Sequence, residues 1–239
     1  MDRQARRPGP SPDQPDDEPQ PPSRRRPARA AGSRRAPARR RPVGPRIIAG
    51  RFRGRRLLYS GALATRPMKD RLRESVFGRL GQRVVGSHAI DLFAGTGALG
   101  FEALSRGAAR ATFIERHRPT AELVRRNAAA LGVEPCLTII PGDVFRWIDR
   151  WLADRVGLGA EHWLVFCSPP YDFYVDRAEA IRSLIARLLD AAPDGSLMVV
   201  ESDERFDFAV LPEPNRWDVR RHRPAVVGIL EKAASGGAA

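Results

Sequence analysis

The sequence predicts an α/β fold in which a mostly parallel β-sheet is covered by helices on both faces. From His88 onward, short apolar runs typical of buried strands alternate with longer segments whose apolar residues have helical spacing. A glycine-rich loop joins the first of these strands to its helix. With 239 residues, 42% of them hydrophobic, the chain is large enough for one good-sized core or two small ones.

Six strands and four helices are predicted between His88 and Glu231. The strands are, in chain order, HAIDLF, ATFIE, CLTII, HWLVFC, LMVVES and AVVGILE. The helices are ALGFEALSRG, PTAELVRRNAAALG, VFRWIDRWLADRV and DRAEAIRSLIARLLD. Gly132 is placed to end the second of these helices, and Asp143 precedes the third as a candidate N-cap.

The part of the chain before residue 83 has a different composition. Residues 1–45 are rich in Pro, Arg, Ala and Asp, so we expect a disordered tail. Its later part, RRRPARAAGSRRAPARRRP, either binds RNA non-specifically or is a solvated tail that reflects a GC-rich genome. RIIAGRFRGRRLLY predicts two short strands around a basic turn. TRPMKDRLRESVFGRL then predicts a helix with Thr65 and Pro67 near its start.

Composition limits the classes of function that are plausible. The formal net charge of +13 favours a polyanionic partner, although only two of the 41 basic residues are lysines and genome composition explains part of the arginine excess. Two cysteines far apart and four histidines without ligand spacing predict neither a disulfide framework nor a metal site. No apolar run approaches the ~18 residues of a membrane span and no signal peptide is evident, so we expect a cytoplasmic protein.

The segment DLFAGTGALG follows the first predicted strand and opens a helix. Its glycines fit G-x-G-x-x-G, in which missing side chains let the backbone approach a ligand: Gly95, Gly97 and Gly100. This loop alone suits a nicotinamide dinucleotide equally well. Asp91, at the strand end, favours S-adenosylmethionine instead, because a carboxylate there attracts an ammonium group and repels a pyrophosphate.

Two further acids end the second and third predicted strands. Glu115 is placed for a ribose diol, and Asp143 for an adenine amino group. Together with the glycine loop, they resemble the S-adenosylmethionine site of Rossmann-like methyltransferases. Two simpler interpretations stay open, in which Asp143 is only a helix cap and Glu115 only a surface acid.

The segment SPPY follows the fourth predicted strand and resembles the (D/N)-P-P-(Y/F) motif of methyltransferases that act on nucleobase amines. RIIAGRFRGRRL, TRPMKDRLRESVF, DLFAGTGALGFEALSRGA, PPY and VVES occur in the order seen in the RsmD family, over residues 46–231. The resemblance implies a class I S-adenosylmethionine-dependent methyltransferase with a mostly parallel seven-stranded Rossmann-like sheet. Its substrate would be guanine N2 in 16S ribosomal RNA. The implied cofactor-binding residues are Asp91, Phe93, Ala94, Gly95, Thr96, Gly97, Glu115, Asp143 and Val144.

The residue types of this motif fit the chemistry of amine methylation. An exocyclic amine is a poor nucleophile because its lone pair is delocalised into the ring, and acceptors on both N–H bonds draw the nitrogen toward tetrahedral geometry. In the family these acceptors are the Asp or Asn side chain and the following carbonyl, here that of Pro169. Pro170 rigidifies the turn and Tyr171 offers a face on which the base stacks.

Ser168 departs from the family pattern, because its hydroxyl is shorter than an Asp or Asn side chain and uncharged. If the hydroxyl accepts less well by about 1.4 kcal/mol in the transition state, the rate falls roughly tenfold. If the bond is lost altogether, the rate falls ~100-fold or more. A third interpretation makes Ser168 a turn residue of a protein that has lost catalysis.

A basic strip precedes the catalytic segment, and either it contacts phosphates of the RNA or it is a solvated face. Its predicted RNA-binding residues are Arg46, Arg51, Arg53, Arg55, Arg56, Arg66, Lys69 and Arg71. We therefore divide the chain into a tail at 1–45, an RNA-contacting extension at 46–82, a catalytic domain at 83–232 and a flexible C-terminus at 233–239. Trp147, Trp151 and Trp163 are expected in the core.

The predicted partner is 16S rRNA in the small ribosomal subunit, bound by a monomer. Two alternatives have different chemistry. One is an RNA-binding assembly factor with weak or lost catalysis, which Ser168 would explain. The other is a DNA adenine-N6 methyltransferase, for which the chain after Tyr171 leaves no room for a target-recognition domain.

Overall fold

The computed structural model describes residues 43–61, 68–154 and 161–234. The predictions for the tail at 1–42, for Thr65, Arg66 and Pro67, and for residues 235–239 lie outside these ranges. Within the described ranges, no helix combines the length and the apolar character that crossing a bilayer would need.

A seven-stranded sheet forms the centre of the fold. Its strands are β1 (His88–Asp91), β2 (Arg110–Ile114), β3 (Leu137–Ile140), β4 (Trp163–Cys167), β5 (Leu197–Asp203), β6 (Asp218–His222) and β7 (Ala225–Glu231). The spatial order is β3-β2-β1-β4-β5-β7-β6. Neighbouring strands from β3 to β5 run parallel, and β7 is antiparallel to both β5 and β6. All six strands predicted from the sequence are present, each within two residues of the predicted bounds.

Helices cover both faces of this sheet, as predicted. They are α1 (Asp70–Leu80), α2 (Ala98–Ser105), α3 (Arg118–Leu131), α4 (Val144–Asp154), α5 (Phe173–Asp176) and α6 (Ala178–Ala191). Alternate residues of β4 enter two separate cores: Leu164 and Phe166 pack with α1, α2 and α3, whereas Trp163 and Val165 pack with α4 and α6. This period of two explains why β4 reads as a continuous apolar run.

Several local predictions about the core and the helix ends are confirmed. Trp151 and Trp163 are buried, and the half-buried Trp147 stacks on Trp151 with ring centroids 5.0 Å apart. Gly132 ends α3 with a φ of +67°, a conformation that glycine adopts without strain. The Asp143 carboxylate accepts a hydrogen bond from the Phe145 N–H at 2.9 Å and so caps α4.

The segment at 46–58 is held onto α2 and α3 by side chains of those helices. The buried Glu102 carboxylate accepts hydrogen bonds from the N–H groups of Ile48 (2.7 Å) and Ala49 (3.0 Å). Asn127 of α3 accepts from the Leu58 N–H at 2.7 Å. A Cβ at Gly50 would lie 1.8 Å from the Ser105 carbonyl oxygen, so only glycine allows this close approach.

The prediction of two short strands in this segment is wrong. A single antiparallel bridge joins Arg46 and Arg56 instead. The Ile47 N–H donates to the Arg55 carbonyl at 2.8 Å and the Leu57 N–H to the Pro45 carbonyl at 2.9 Å, but the ladder stops there because the Glu102 carboxylate binds the next donor, the Ala49 N–H. The structure also adds β6, which the sequence analysis missed. Four of its five residues are exposed, so the segment lacks the apolar signal of a strand.

Candidate active site

The glycine loop connects β1 to α2 at the centre of the sheet. The strand order reverses here, because β2 and β3 lie on one side of β1 and β4 lies on the other. Ligands of open α/β sheets bind at such a switch point, beyond the carboxyl ends of the strands. Gly97 begins α2 with a φ of +77°, and a Cβ at Gly100 would lie 2.3 Å from the Phe113 ring. Glycine is therefore required here both by the turn and by the packing of α2 against β2.

Asp91 ends β1 at the base of this loop and is 1% exposed. One carboxylate oxygen accepts a long hydrogen bond, of 3.4 Å, from the Gly100 N–H. Burial raises the pKa of Asp91 from its ordinary value of 3.8 to about 7, and the nearby Glu115 carboxylate adds to this rise, whereas the Gly100 N–H opposes it. Among the ion pairs of the described residues, none includes Asp91. A cationic ligand group would therefore supply a counter-charge that Asp91 lacks.

Glu115 lies immediately after β2, with its side chain directed toward the glycine loop. Its two carboxylate oxygens accept hydrogen bonds from the Gly95 N–H at 2.9 Å and the His117 N–H at 2.7 Å. The side chain is 9% exposed, so the interpretation of Glu115 as an ordinary surface acid is wrong. A carboxylate has about four acceptor positions, and those left over are available to hydroxyl groups of a ligand.

Asp143 follows β3 on the same edge of the sheet as Asp91 and Glu115. Its Oδ1 caps α4, and its Oδ2 lies 3.7 Å from the Arg177 guanidinium. The helix-cap interpretation is confirmed, while the role of Asp143 toward an adenine amino group stays a prediction. Val144, which follows it, is buried in the core on the α4 side.

An aromatic cluster lies beside these acids. The ring centroids of Phe93, Phe145 and Phe173 are 6.1 to 6.4 Å apart in every pair. The Arg177 guanidinium lies 5.4 Å from the Phe145 ring and 5.0 Å from the Phe173 ring. Of these residues only Phe93 was predicted from the sequence; Phe145 lies in a helix predicted for other reasons, and Phe173 and Arg177 belong to a four-residue helix and its end, which carry no periodic signal. Such a cluster can stack a flat ligand ring.

The Ser-Pro-Pro-Tyr segment begins directly after β4, the strand next to β1. Phe166 of β4 is the register partner of Asp91, and its carbonyl accepts from the Leu92 N–H at 3.0 Å. The loop that starts at Asp91 and the loop that starts at Ser168 therefore leave adjacent strands at the same edge. Pro170 is exposed, and its carbonyl accepts from the Phe173 N–H at 2.9 Å, which begins α5.

Glu201, which the sequence analysis did not assign to the site, lies next to Ser168. Ser168 Oγ donates a hydrogen bond to Oε2 of Glu201, and the Tyr171 hydroxyl donates to Oε1 at 3.2 Å. The Tyr174 hydroxyl donates to the backbone carbonyl of Glu201 at 2.7 Å. Burial raises the pKa of Glu201, while the hydrogen bonds from Ser168 and Tyr171 oppose this rise. The VVES segment carried this residue, but only the pairing of β4 with β5 brings it to Ser168.

All described members of the predicted basic strip are exposed, and three of them also bind groups of the protein itself. Arg46 pairs with Asp70 at 3.0 Å, Arg55 donates to the Ala130 carbonyl at 2.7 Å, and Arg56 donates to the Gly44 carbonyl at 3.2 Å. The other described members of the strip are exposed side chains: Arg51, Arg53, Lys69 and Arg71. In the part of the chain that the structure describes, no group of three His, Cys, Asp or Glu residues is arranged to hold a metal ion.

Comparison with known proteins agrees with this arrangement. The chain is 34% identical to the Escherichia coli protein named "Ribosomal RNA small subunit methyltransferase D" over 182 residues, which cover 75% of this chain and 84% of that one. A solved structure of an Escherichia coli protein has a TM-score of 0.63 at 30% identity and covers 80% of this chain and 98% of its own. The T. thermophilus 16S rRNA N2 G1207 methyltransferase RsmC, solved with AdoMet and guanosine, has a TM-score of 0.59. It is 18% identical over 80% of this chain and 50% of that chain, so it shows a shared fold alone.

The family model described as "Conserved hypothetical protein 95" matches residues 45–227, which include the docked segment at 46–58, the glycine loop and the Ser-Pro-Pro-Tyr segment. The sheet is the Rossmann-like sheet of class I methyltransferases, and the chain belongs to the RsmD family.

Proposed function

We propose that the protein transfers the methyl group of S-adenosylmethionine to the exocyclic N2 amine of a guanine in 16S ribosomal RNA. One observation carries this proposal. Asp91, suited to a cationic ligand, and Ser168, suited to a base amine, begin adjacent loops at the ends of the two central strands. A methyl donor and a nucleobase amine would therefore meet at one edge of the sheet.

The donor set of the site fits S-adenosylmethionine better than a dinucleotide. Asp91 is buried without a cationic partner among the described ion pairs, and Glu115 adds a second carboxylate beside the same loop. Two carboxylates favour an ammonium group and a ribose diol, whereas they would repel a pyrophosphate. We assign Asp91 to the ammonium, Glu115 to the ribose, and Asp143 with the aromatic cluster to the adenine. When bound, S-adenosylmethionine supplies an electrophilic methyl group on a sulfonium.

The chain's own residues position and activate the amine. In this proposal Ser168 and the Pro169 carbonyl accept its two N–H bonds, and Tyr171 stacks on the base. Pro170 limits the conformations of the loop, so the acceptors are held ready for the substrate. The choice of guanine N2 rests on family membership, because the acceptor geometry alone would also serve another exocyclic amine. The relatives give no support to a DNA adenine methyltransferase or to an assembly factor without turnover.

Residues 46–82 are proposed to contact the RNA. The docked segment at 46–58 and the start of α1 carry the exposed basic residues Arg51, Arg53, Lys69 and Arg71. Their charge would bind phosphates without reading sequence, and would bring the target loop to the site. The monomeric state also stays a prediction.

The test is transfer of a labelled methyl group to defined RNA. The purified protein would be incubated with labelled S-adenosylmethionine and either naked 16S RNA or assembled small subunits. Incorporation into a guanine of either substrate is the expected result. A useful control is Glu122→Gln, because Glu122 is an exposed residue of α3 paired with Arg125 and should not affect transfer. Absence of transfer to both substrates, by a protein that binds RNA, would contradict the proposal.

A further inference from the structure

Glu201 is held next to Ser168 by the register of two parallel strands. Cys167, the last residue of β4, pairs with Val200 of β5, so Ser168, the first residue after β4, comes next to Glu201. Glu201 lies on the sheet face that carries Val199, because residues two apart on a strand share a face, and the Ser168 side chain meets it there. The hydrogen bond from Ser168 to Glu201 therefore follows from the sheet itself, and a flexible loop is not needed to form it.

Among the described residues, the groups that bind the Glu201 carboxylate are hydroxyls. The side chain is 6% exposed, and its carboxylate accepts from the hydroxyls of Ser168 and Tyr171. The register partner of Glu201 on β7 is the apolar Val227. Tyr174 of α5 donates to the backbone carbonyl of Glu201 and not to its carboxylate. None of the ion pairs among residues 43–61, 68–154 and 161–234 involves Glu201. Because an ionised Glu201 has no paired cation within these ranges, the Ser168 and Tyr171 protons are what stabilise its charge there.

The direction of the hydrogen bond decides what Ser168 can do. A serine hydroxyl has one proton and two lone pairs, and here the proton is directed to Glu201. The lone pairs are then left for an incoming N–H group. A carboxylate that accepts from the hydroxyl also polarises it and makes its oxygen a stronger acceptor.

We propose that Ser168 and Glu201 act as one unit that replaces the Asp or Asn of the family motif, with Ser168 as the catalytic acceptor of the base amine and Glu201 as its positioning residue. This inference rests on the proposed function, because it concerns how that same site activates the amine. It explains how a chain with serine in the motif keeps a negative charge near the reacting nitrogen. The negative charge is then carried by Glu201 on β5 and not by a residue of the motif.

The same unit accounts for the proton that the reaction releases. As the N–CH₃ bond forms, the S–CH₃ bond breaks and its electron pair stays on sulfur, which becomes a neutral thioether. The amine nitrogen then carries a positive charge and gives one proton to Ser168 Oγ, while the Ser168 proton passes to Oε2 of Glu201. Glu201 becomes neutral and releases the proton to water after the product leaves, so charge and protons balance.

A double-mutant cycle tests this inference. The single-turnover methylation rate would be measured at saturating S-adenosylmethionine and RNA for the wild type, Ser168→Ala, Glu201→Gln and the double variant. Each single substitution should slow transfer by about ten- to a hundredfold. The combined effect should be far smaller than the product of the two single effects, because Glu201 acts on the amine through Ser168 and the Gln oxygen can still accept from Tyr171. Glu122→Gln makes the same chemical change at an exposed glutamate and should transfer at the wild-type rate.

A rescue experiment separates this role from a structural one. Ser168→Asp brings a carboxylate to the motif, but beside Glu201 it creates two close carboxylates, one of which is then protonated. Ser168→Asp combined with Glu201→Gln should therefore be faster than Ser168→Asp alone, and faster than Glu201→Gln alone. A purely structural Glu201 would give no such rescue, since the Gln substitution would be as harmful in either background.

The pH profile provides a readout that needs no substitution at Glu201. The cofactor is kept saturating at every pH, so that protonation of Asp91 does not limit binding. Wild-type transfer should then rise with pH as Glu201 ionises, and this acidic limb should disappear in Ser168→Ala. Independent, multiplicative effects of the two substitutions, or an unchanged acidic limb in Ser168→Ala, would overturn the inference while leaving the proposed function standing. A wild-type protein that transfers no methyl group to any RNA would overturn both.

Discussion

Asp91 offers a quantitative test of how the site binds its cofactor. Burial raises its pKa to about 7 from an ordinary value of 3.8. At about 1.4 kcal/mol for each unit of pKa, this interval corresponds to about 4 kcal/mol by which ionised Asp91 destabilises the ligand-free protein. Asp91→Asn removes the charge and keeps an oxygen that can accept from the Gly100 N–H. The variant should therefore be more stable than the wild type at pH 8.

The pH dependence has a definite sign. Below pH 3.8 the Asp91 carboxyl is protonated in both the folded and the unfolded chain, and its stabilising effect is complete. Between pH 3.8 and about 7 the folded chain holds a proton that the unfolded chain has lost, so stability falls as pH rises. Above pH 7 the carboxyl is ionised in both states, so its contribution to the free energy of unfolding no longer changes with pH. Urea unfolding at pH 5 and pH 8 should show that Asp91→Asn loses less stability than the wild type over this interval.

Cofactor binding should follow the opposite trend. An ammonium group pairs with ionised Asp91, so at pH 6 the Asp91 carboxyl must first lose its proton. As pH rises toward 7, cofactor affinity should therefore increase by up to about tenfold for each pH unit. Titration calorimetry in two buffers of different ionisation enthalpy measures both the affinity and the proton released. Affinity that does not change between pH 6 and pH 8, or an Asn variant less stable than the wild type at pH 8, would refute the assignment of Asp91.

Three further predictions concern the fold and the RNA surface. Glu102→Gln should lower the free energy of unfolding by about 3 kcal/mol, because the buried Arg73 of α1 loses one of its two carboxylate partners and one backbone N–H of the docked segment loses its acceptor. Urea unfolding beside Glu122→Gln measures this, and equal stabilities would contradict it. Gly100→Ala should lower the free energy of unfolding by about 1–3 kcal/mol, since the added Cβ would lie 2.3 Å from the Phe113 ring of β2. A melting temperature equal to that of the wild type would contradict this packing. Replacing Lys69 and Arg71 by Ala should reduce the slope of log affinity for RNA against log salt by about 1.4, which fluorescence anisotropy measures; an unchanged slope would remove both residues from the RNA surface.

The central sheet and most of the site follow from patterns that are local in sequence. Apolar runs ending in Asp91 and Glu115 predicted buried strands whose carboxyl ends carry acids, and the structure places both acids beside the glycine loop. Asp143 was recognisable as a helix cap because its neighbours have helical spacing. In each case the signal lies within about ten residues of chain, which is the range over which periodicity and capping act.

The features that the sequence analysis missed depend on contacts between distant segments. Glu201 approaches Ser168 only because β5 lies next to β4 in one register. The register of two parallel strands cannot be predicted from the sequence of either strand alone. The two strands predicted around Gly50 are absent because a buried carboxylate 53 residues further along, that of Glu102, binds the Ala49 backbone N–H. β6 pairs at the edge of the sheet with charged, exposed side chains, so it has no apolar pattern to detect.

The most direct test of the proposed function is the identity of the methylated nucleoside. After reaction with S-adenosylmethionine and either naked 16S RNA or assembled small subunits, the RNA would be digested and its nucleosides separated by mass spectrometry. The account predicts N2-methylguanosine in wild-type reactions, and strongly reduced amounts with Ser168→Ala. A methyl group found only on adenine, or on no nucleoside of either substrate, would contradict it.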